Sequence, residues 1–464
     1  MILSLLKDIW KVSVSRRLTV NRKKTGTFRA FFILFLLLNC IYIKAVNVFM
    51  DDYFSEESLF SGDMFIEKED VVMEEVDVEL RKDALDISGN LTNIITYTQK
   101  NTEKNLLNFD EIPDNYFNVT SLANIFFDAR FRNRVKVFLD LELFYDYNGA
   151  SDEGLTDGII NEAFIDIPIL NKIYIKAGKQ VLQWGTTYFW NPTDLINLEL
   201  RDIRESDIGK EGIKGIKVHL PYGVKRNLYF FLNTTGIDSL DDLAISAKYE
   251  FLVDNTEIAL SAWNKKNSIS VYGLDISTRF RGVDIKAELS LSQGDNNYIM
   301  DYDTLEVYKE EEDWITRMSV GFTRSFDYEN IPDRISITGE LYYNSNGYDK
   351  NIYKRIDEIT DPLEKLITLE KFLKDVYLPN MNSRYYAGFF INFIDLLISD
   401  LILNLNGVVN LVDFSKIISI GINYQVKDNI NLELNITNFI GDKNTEAVLF
   451  GNDYTVTFST SYSF

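Results

Sequence analysis

The sequence predicts an all-β fold: a transmembrane antiparallel up-and-down β-barrel of about 16–18 strands, with a short helix in one outer loop. Apolar and polar side chains alternate with period two through most of the chain after residue 85. The alternating segments are about ten residues long, which suits a tilted crossing of the hydrocarbon layer. The links between them are alternately short and long, as in barrels with short turns on one side of the membrane and long loops on the other.

The composition supports this fold and excludes several classes of function. The 464 residues include 26 Tyr, 32 Phe and only 7 Pro, which suits long strands and interfacial aromatic girdles. One Cys excludes a disulfide framework within the chain, and one His, His219, excludes most histidine-based chemistry. The net charge is −22, and without residues 1–45 it is (48 − 9) − (70 − 1) = −30, which argues against a nucleic-acid partner.

The first 82 residues divide into two segments before the barrel begins. Residues 1–45 are basic and then apolar, which predicts a secretory signal peptide cleaved after Ala45. The run LLLNC also resembles a loose lipoprotein box, so lipidation of Cys40 and its loss with the signal both stay open. Residues 46–82 are acidic and predict a periplasmic linker, with a docking segment as the alternative.

Residues 83–464 form the predicted barrel domain. The longest links, which we expect to be outer loops, are 99–118, 148–158, 183–212, 294–313, 345–383 and 440–452. The candidate strands are 85–98, 119–131, 134–147, 159–167, 172–182, 213–220, 227–235, 243–253, 256–264, 269–280, 282–293, 314–326, 334–344, 384–394, 400–411, 415–426, 429–439 and 453–464.

Charged side chains recur on the polar face of these strands, which a water-filled lumen tolerates and a sandwich core does not. Acids outnumber bases ten to five among them, which predicts a mild cation preference for a pore. The predicted lumen-facing charges are Lys136, Asp140, Glu142, Asp146, Glu162, Asp166, Lys248, Glu250, Asp284, Lys286, Glu288, Arg317, Glu340, Arg384 and Glu433.

The last strand, 453–464, has aromatic side chains at alternate positions and ends in Phe. In a closed barrel this strand pairs with the first one, so no edge remains. The ending resembles the closing strand of bacterial outer-membrane β-barrels. That resemblance implies an assembly signal, read by the barrel-assembly machinery, at Phe458, Tyr462 and Phe464.

The third outer loop, 183–212, is the predicted pore constriction. It contains Trp184, Trp190 and a turn signal that ends at Asp194. A dense mixed-charge run follows, including Arg201, Arg204, Glu205 and Asp207. Rings of charge set the ion preference of a pore. The alternative is an ordinary surface loop with a solvated charge run.

The segment KAGKQVLQWG at 176–185 and the following WNPTDLIN resemble a pattern in outer-membrane porin families, including alginate-export-type channels. The resemblance covers about twenty residues and implies pore-side positions at Lys176, Lys179 and Gln180. Lys179 departs from strict alternation, which leaves the direction of its side chain open.

The link 345–383 contains the predicted helix. Asp361, Pro362 and Glu364 form a capping-box pattern. Leu363, Leu366, Ile367, Phe372, Leu373 and Val376 supply the predicted apolar stripe. We expect this helix to pack over the barrel mouth, with a plugging or partner-binding helix as the alternative.

These observations predict an integral outer-membrane channel for passive diffusion of small hydrophilic solutes, reached by secretory export. A surface adhesin or receptor with a closed pore is the alternative. An enzyme is not expected, since His219 lies beside a predicted inner turn, and neither a cofactor nor a metal site is expected. The expected partners are outer-membrane lipid, the assembly machinery and small solutes or ions. The sequence leaves the choice between a monomer and a homo-oligomer open.

Overall fold

Eighteen antiparallel strands form one sheet that closes on itself, because the last strand pairs with the first as well as with the strand before it. The computed structural model describes residues 84–101, 103, 113–170, 172–197, 211–329, 331–396 and 398–464. The barrel strands are β1 (Ala84–Lys100), β2 (Asn115–Arg130), β3 (Lys136–Asn148), β4 (Glu153–Ile169), β5 (Ile173–Gln180), β6 (Ile213–Tyr222), β7 (Arg226–Asn233), β8 (Ala244–Val253), β9 (Thr256–Lys265), β10 (Val271–Phe280), β11 (Val283–Gln293), β14 (Trp314–Tyr328), β15 (Ile331–Asn344), β16 (Tyr385–Ile394), β17 (Leu401–Asn410), β18 (Lys416–Lys427), β19 (Ile430–Ile440) and β20 (Asn452–Ser463). The predicted fold class is confirmed, and each candidate strand corresponds to one strand of the barrel.

Burial is inverted relative to a soluble protein. In β14, Phe322 is 50% exposed, whereas Ser319 is 0% and Arg317 is 8% exposed. The adjacent strand β15 repeats this pattern, with Leu341 exposed and Glu340 buried. An apolar exterior with a polar interior suits lipid outside and water inside.

The short inner turns use residues that tolerate a left-handed backbone. Asp254 (φ 52°) joins β8 to β9, and Arg281 (φ 51°) with Gly282 (φ 79°) joins β10 to β11. A two-residue hairpin with positive φ has a twist that matches the flanking strands. These turns therefore keep neighbouring strands in register with very few linking residues.

The barrel closes at a seam between β1 and β20. Gly89 N donates to Phe464 O at 2.9 Å, and Phe464 N donates to Gly89 O at 3.0 Å. The Phe464 ring covers Gly89 so closely that a Cβ there would lie 2.6 Å from it. An aromatic ring that covers a strand glycine replaces the side-chain contact that the glycine lacks. Phe464 also stacks with Tyr462 at 6.4 Å between ring centroids.

The long outer loops contain structure of their own. Strands β12 (Tyr298–Met300) and β13 (Val307–Lys309) form a small hairpin in the loop after β11, which the sequence analysis did not predict. Between β15 and β16 lie helix α1 (Ile352–Asp357), helix α2 (Pro362–Lys371) and a π-helical turn (Phe372–Val376). Two short 3₁₀ turns occupy Leu240–Asp242 and Glu446–Val448.

A hydrophobic cluster joins three of these loops into one unit, which we call the outer cap (residues 294–313, 345–384 and 441–451). Each loop contributes to the cluster. Its buried members are Met300, Tyr348, Ile352, Tyr353, Ile356, Leu369, Phe372, Val376 and Leu449. Burial of this much apolar surface fixes the loops against one another.

Helix α2 confirms the predicted helix but corrects part of its apolar stripe. The Asp361 side chain accepts hydrogen bonds from Leu363 N and Glu364 N, each at 2.9 Å, and so caps the helix. However, Leu363 and Ile367 are exposed. The helix contacts the cap through only one side and its carboxyl-terminal turn, so these two residues face away from the cluster.

The predicted signal peptide (1–45), the acidic linker (46–82) and Cys40 lie outside the described residues. Their assignments stay predictions. In the part of the chain that the structure describes, no helix has the length and apolar character needed to cross a membrane.

We predict that Phe464→Ala weakens the seam. The change removes the ring that covers Gly89 and its contact with Tyr462, and an aromatic pair contributes about 1 kcal/mol. The free energy of unfolding, measured by urea titration of the refolded protein in detergent, should fall by a similar amount. Leu434→Ala on the outer face of β19 is the matched control. An equal loss in both variants would contradict a specific role for the seam contact.

Candidate functional site

The first part of the loop after β5, residues 181–197, turns into the barrel, and we call it the lumen loop. Its backbone binds the carboxylate of Glu288 on β11, which is 1% exposed. Thr187 N donates to this carboxylate at 2.8 Å, Thr193 N donates at 3.0 Å, and Thr186 N is a further donor. The hydroxyls of Thr187 and Thr193 donate as well, each at 2.8 Å.

A second carboxylate, Glu340 on β15, holds the next part of the lumen loop. It accepts the backbone N–H groups of Tyr188 (2.8 Å), Phe189 (3.0 Å) and Trp190 (2.9 Å). Ser319 Oγ donates to it at 2.7 Å. Three consecutive amides aimed at one carboxylate form a concave anion site of the kind that backbone amides make in turns. Both carboxylates are therefore satisfied by the loop backbone and fix its path.

The anchored loop crosses the lumen. From β5, where the lumen loop begins, β15 is eight strands away around a barrel of eighteen (β6 to β11, then β14 and β15). A strand eight places away lies almost diametrically opposite. The loop therefore reaches from one wall of the barrel to the other.

Apolar packing holds the base of the lumen loop. Trp184, Leu195 and Ile196 are buried against Phe231 and Trp263 of the inner wall. The remaining members of this cluster are Ile213, Ala244 and Val271. Apolar side chains on the inner wall of a water-filled barrel need a cover, and this loop supplies it.

Trp190 and Asp194, both predicted at the constriction, have structural partners. Trp190 is buried between Tyr342 and Tyr386, with ring centroids 5.5 and 5.9 Å away. Its indole Nε1 donates to Asn380 O at 2.8 Å. Asp194 Oδ1 accepts Trp184 N at 3.0 Å and so closes the turn within the loop.

The other predicted constriction residues, Arg201, Arg204, Glu205 and Asp207, lie outside the described residues. The placement of this charge run in the pore stays a prediction.

The strand register places the predicted lumen-facing charges on the interior face, which is the face of Ser319 and opposite the exposed apolar side chains. Arg384 lies at the outer end of this face, just before β16, 3.6 Å from Asp349. The set is Lys136, Asp140, Glu142, Asp146, Glu162, Asp166, Lys176, Lys248, Glu250, Asp284, Lys286, Glu288, Arg317, Glu340, Arg384 and Glu433. Their roles in a pore stay predictions.

Several of these charges have close partners. Lys248 Nζ lies 2.9 Å from Glu250 and 3.6 Å from Asp275. Arg317 pairs with the buried Asp295 of the outer cap. A charge that is paired at short range contributes less to the field in the lumen than an unpaired one.

Further contacts concern three charges in the lumen. Lys286 Nζ lies 4.3 Å from the centroid of the Tyr188 ring, a cation–π contact with the lumen loop. Lys176 Nζ lies 3.9 Å from the ring centroid of Phe164. Glu433 accepts Asn435 Nδ2 at 2.6 Å and Ser459 Oγ at 3.4 Å.

The segment that resembles porin families divides between the two faces of β5. Lys176 and Gln180 share the interior face with Ile213 and Lys217 of β6. Lys179 lies on the opposite face and pairs with Glu211 at 2.5 Å. The register therefore places Lys179 on the face of β5 that points away from the pore.

His219 packs and hydrogen-bonds against side chains of the neighbouring strand β7. Its ring stacks on Tyr229 with centroids 4.4 Å apart, and Nε2 lies 3.0 Å from Asn227 Oδ1. Among the described residues, no group of three or more His, Cys, Asp and Glu side chains is arranged to hold a metal ion.

Comparisons with solved structures find bacterial proteins of similar fold at low identity. OccAB3 of Acinetobacter baumannii is 8% identical with a TM-score of 0.51, over 82% of this chain and 99% of that one. OccAB1 of the same organism is 11% identical with a TM-score of 0.50, over 82% and 96%. The outer membrane protein OpdK of Pseudomonas aeruginosa is 10% identical with a TM-score of 0.47, over 82% and 99%.

The chain has the fold of a porin-like outer-membrane barrel. No protein-family model matches the sequence, and no curated protein sequence matches it. The sequence-based resemblance to porin-like barrels is confirmed at the level of the fold.

Sequence reasoning missed several charged residues of the interior, among them Lys217, Asp275 and Asp295. Lys217 is the cross-strand neighbour of Lys176, and Asp275 that of Glu288. The alternation in β6 and β10 carried the signal for both. Asp295 lies in an outer loop, where period two does not apply, so only the tertiary structure brings it to Arg317.

We predict that Glu288→Gln combined with Glu340→Gln releases the lumen loop. A glutamine side chain is uncharged, so each substitution removes the charge-assisted hydrogen bonds between the carboxylate and the loop. These are worth about 2 kcal/mol per carboxylate. Hydrogen exchange of the amides of Thr187 and Trp190 should speed up, and conductance in planar bilayers should rise. Glu433→Gln, which removes an interior acid away from these anchors, is the control. Unchanged protection in the double variant would contradict the anchoring.

Proposed function

We propose that this protein is an integral outer-membrane channel for passive diffusion of small hydrophilic solutes. The observation that carries the proposal is a closed, polar-lined barrel crossed by an anchored loop. Barrels of 16–18 strands leave an aqueous channel, as porins do. Secretory export and insertion by the assembly machinery complete the proposal, and no enzymatic activity is part of it.

The lumen loop supports a constriction within this channel. A loop held at both Glu288 and Glu340 divides the lumen and reduces its open cross-section. The electrostatic field there depends on the charges beside the opening. We therefore place solute selection at the lumen loop and at the wall that faces it.

We also propose that the channel has a mild preference for cations. The interior acids still outnumber the bases when Lys217, Asp275 and Asp128 are added to the predicted set, because two acids join for one base. An excess of fixed negative charge raises the local concentration of cations.

We expect the refolded protein to give stepwise currents in planar bilayers. In a salt gradient, the reversal potential should have the sign of a pore that prefers potassium over chloride, because the lumen carries excess negative charge. Stepwise currents with a reversal potential that favours chloride would leave the channel in place and overturn the cation preference.

Removal of the charges at Arg201, Arg204, Glu205 and Asp207, by amide substitutions, should change the selectivity if this run borders the opening. We expect a shift in reversal potential that is larger at low ionic strength, because salt screens exposed charges.

The control for this test is the exposed pair Asp241–Lys266, which joins two other outer loops at 2.6 Å. Substitutions to Asn and Gln there should leave the selectivity unchanged. If both sets of substitutions have the same effect, or neither has any, the charge run does not border the pore.

A surface adhesin or receptor with a closed pore is the second candidate. The observation that favours it is the outer cap, whose buried cluster gives the outer face a fixed shape. Such a protein would give no stepwise currents while still showing a folded barrel by heat-dependent mobility in gels. The bilayer measurement therefore separates the two candidates.

A further inference from the structure

Glu446 is a buried carboxylate at the junction of the outer cap with the barrel. It lies on the 3₁₀ turn between β19 and β20 and is 4% exposed. Its side chain accepts Asn380 N at 2.8 Å, Tyr386 Oη at 2.8 Å and Asn410 Nδ2 at 2.9 Å. These donors belong to the loop before β16, to β16 and to β17. One carboxylate therefore ties three separate segments together.

The groups that face Glu446 include a second acid and no base. Asp413, from the loop between β17 and β18, accepts Glu446 N at 2.7 Å. The hydroxyls of Tyr386 from β16 and Tyr353 from α1, together with Tyr377 after the π-helical turn, face the same region. Among the described residues, no Lys, Arg or His makes an ion pair with either acid.

This environment disfavours the ionised form of Glu446. Burial, with a further contribution from the charge of Asp413, raises the pKa of Glu446 to about 7. The hydrogen bonds from Tyr386, Asn380 and Asn410 act in the opposite direction. Burial also raises the pKa of Asp413. The carboxyl of Glu446 thus changes charge within the physiological pH range.

A chain of hydrogen bonds connects Glu446 to the lumen loop. Asn380 donates its N–H to Glu446 and accepts Trp190 Nε1 at its carbonyl oxygen. Trp190 N then donates to Glu340 on the barrel wall at 2.9 Å. Asn380 has a left-handed backbone (φ 56°), which asparagine adopts more readily than most other residues with a side chain. The position of Asn380 therefore couples the outer cap to the lumen loop.

We propose that Glu446 is a proton-sensitive positioning residue, which latches the outer cap and, through Asn380 and Trp190, the lumen loop. The part of this inference that concerns conductance rests on the proposed channel function; the part that concerns loop order does not.

The direction of the pH dependence follows from the linkage between proton binding and latching. The latched arrangement binds the proton more tightly than a released loop, in which the carboxyl has its ordinary pKa of about 4.5. Protonation therefore stabilises the latch, fully below the ordinary pKa and not at all above about pH 7. Across this window, the ratio of latched to released loops should change on the order of a hundredfold.

The first experiment measures loop order without reference to conduction. Hydrogen exchange of the Asn380 and Glu446 amides is followed in the detergent-refolded protein from pH 5.5 to 8.5, with correction for the intrinsic exchange rate. We expect protection to decrease as pH rises through about 7. Protection that does not depend on pH in the wild-type protein would overturn the inference, whether or not the protein conducts.

Three substitutions test the assignment to Glu446. Glu446→Gln does not titrate, so its protection profile should be flat. Asp413→Asn removes the facing negative charge and should shift the midpoint to lower pH. Tyr386→Phe removes a donor that stabilises the carboxylate and should shift the midpoint to higher pH. If Glu446→Gln does not fold, the two opposite shifts still decide the matter.

The control is Glu364→Gln, an exposed acid of α2 in the same outer cap. It should leave the midpoint unchanged. A wild-type midpoint that persists in Glu446→Gln, or shifts in the same direction for Asp413→Asn and Tyr386→Phe, would overturn the assignment.

Single-channel recordings over the same pH range test the coupling to the pore. We expect more frequent current fluctuations above about pH 7 in the wild-type protein and no pH dependence in Glu446→Gln. A protein that conducts with a pH-dependent loop but pH-independent currents would overturn the coupling alone. A protein that does not conduct would overturn the channel function. The hydrogen-exchange experiment would then still test the pH-dependent latch by itself.

Discussion

The structure depends on one constraint, that no backbone N–H or C=O group may face lipid without a hydrogen-bond partner. Eighteen strands meet it only because the last strand pairs with the first, from Asn90 with Ser463 up to Lys100 with Asn452. Phe464 contributes both its backbone and its ring to this closure. A sheet with an open edge would expose a row of unpaired groups to hydrocarbon.

The interior follows from the same constraint, since the wall that excludes lipid leaves a wet space that polar groups line. Within that space, buried carboxylates have a structural task. Glu288 and Glu340 sit where water is excluded by the lumen loop, and the loop amides replace water as their donors. Hydrogen bonds of this kind are strong in a low dielectric. Glu288 and Glu340 belong to the lumen charges from which we propose a cation preference, and they also determine the path of the loop.

The outer cap adds a second level of organisation. Its loops are long enough to bury a cluster around Tyr353 and Phe372, and that cluster places the polar network of Glu446 next to the barrel rim. Trp190 lies between the two levels, packed on Tyr342 of the wall and bonded to Asn380 of the cap. Contacts between outer cap and lumen loop therefore run through a small number of buried side chains.

The sequence by itself determined the barrel, with about 16–18 strands, and the helix capped by Asp361, because alternation and capping are local patterns of side chains. It also predicted which face of most strands carries charge. It could not assign Glu288 and Glu340 to the lumen loop, pair Arg317 with Asp295, or bring Glu446 to Asn380. Those contacts join residues far apart in the chain, and only the closed barrel with its packed loops sets the distances between them.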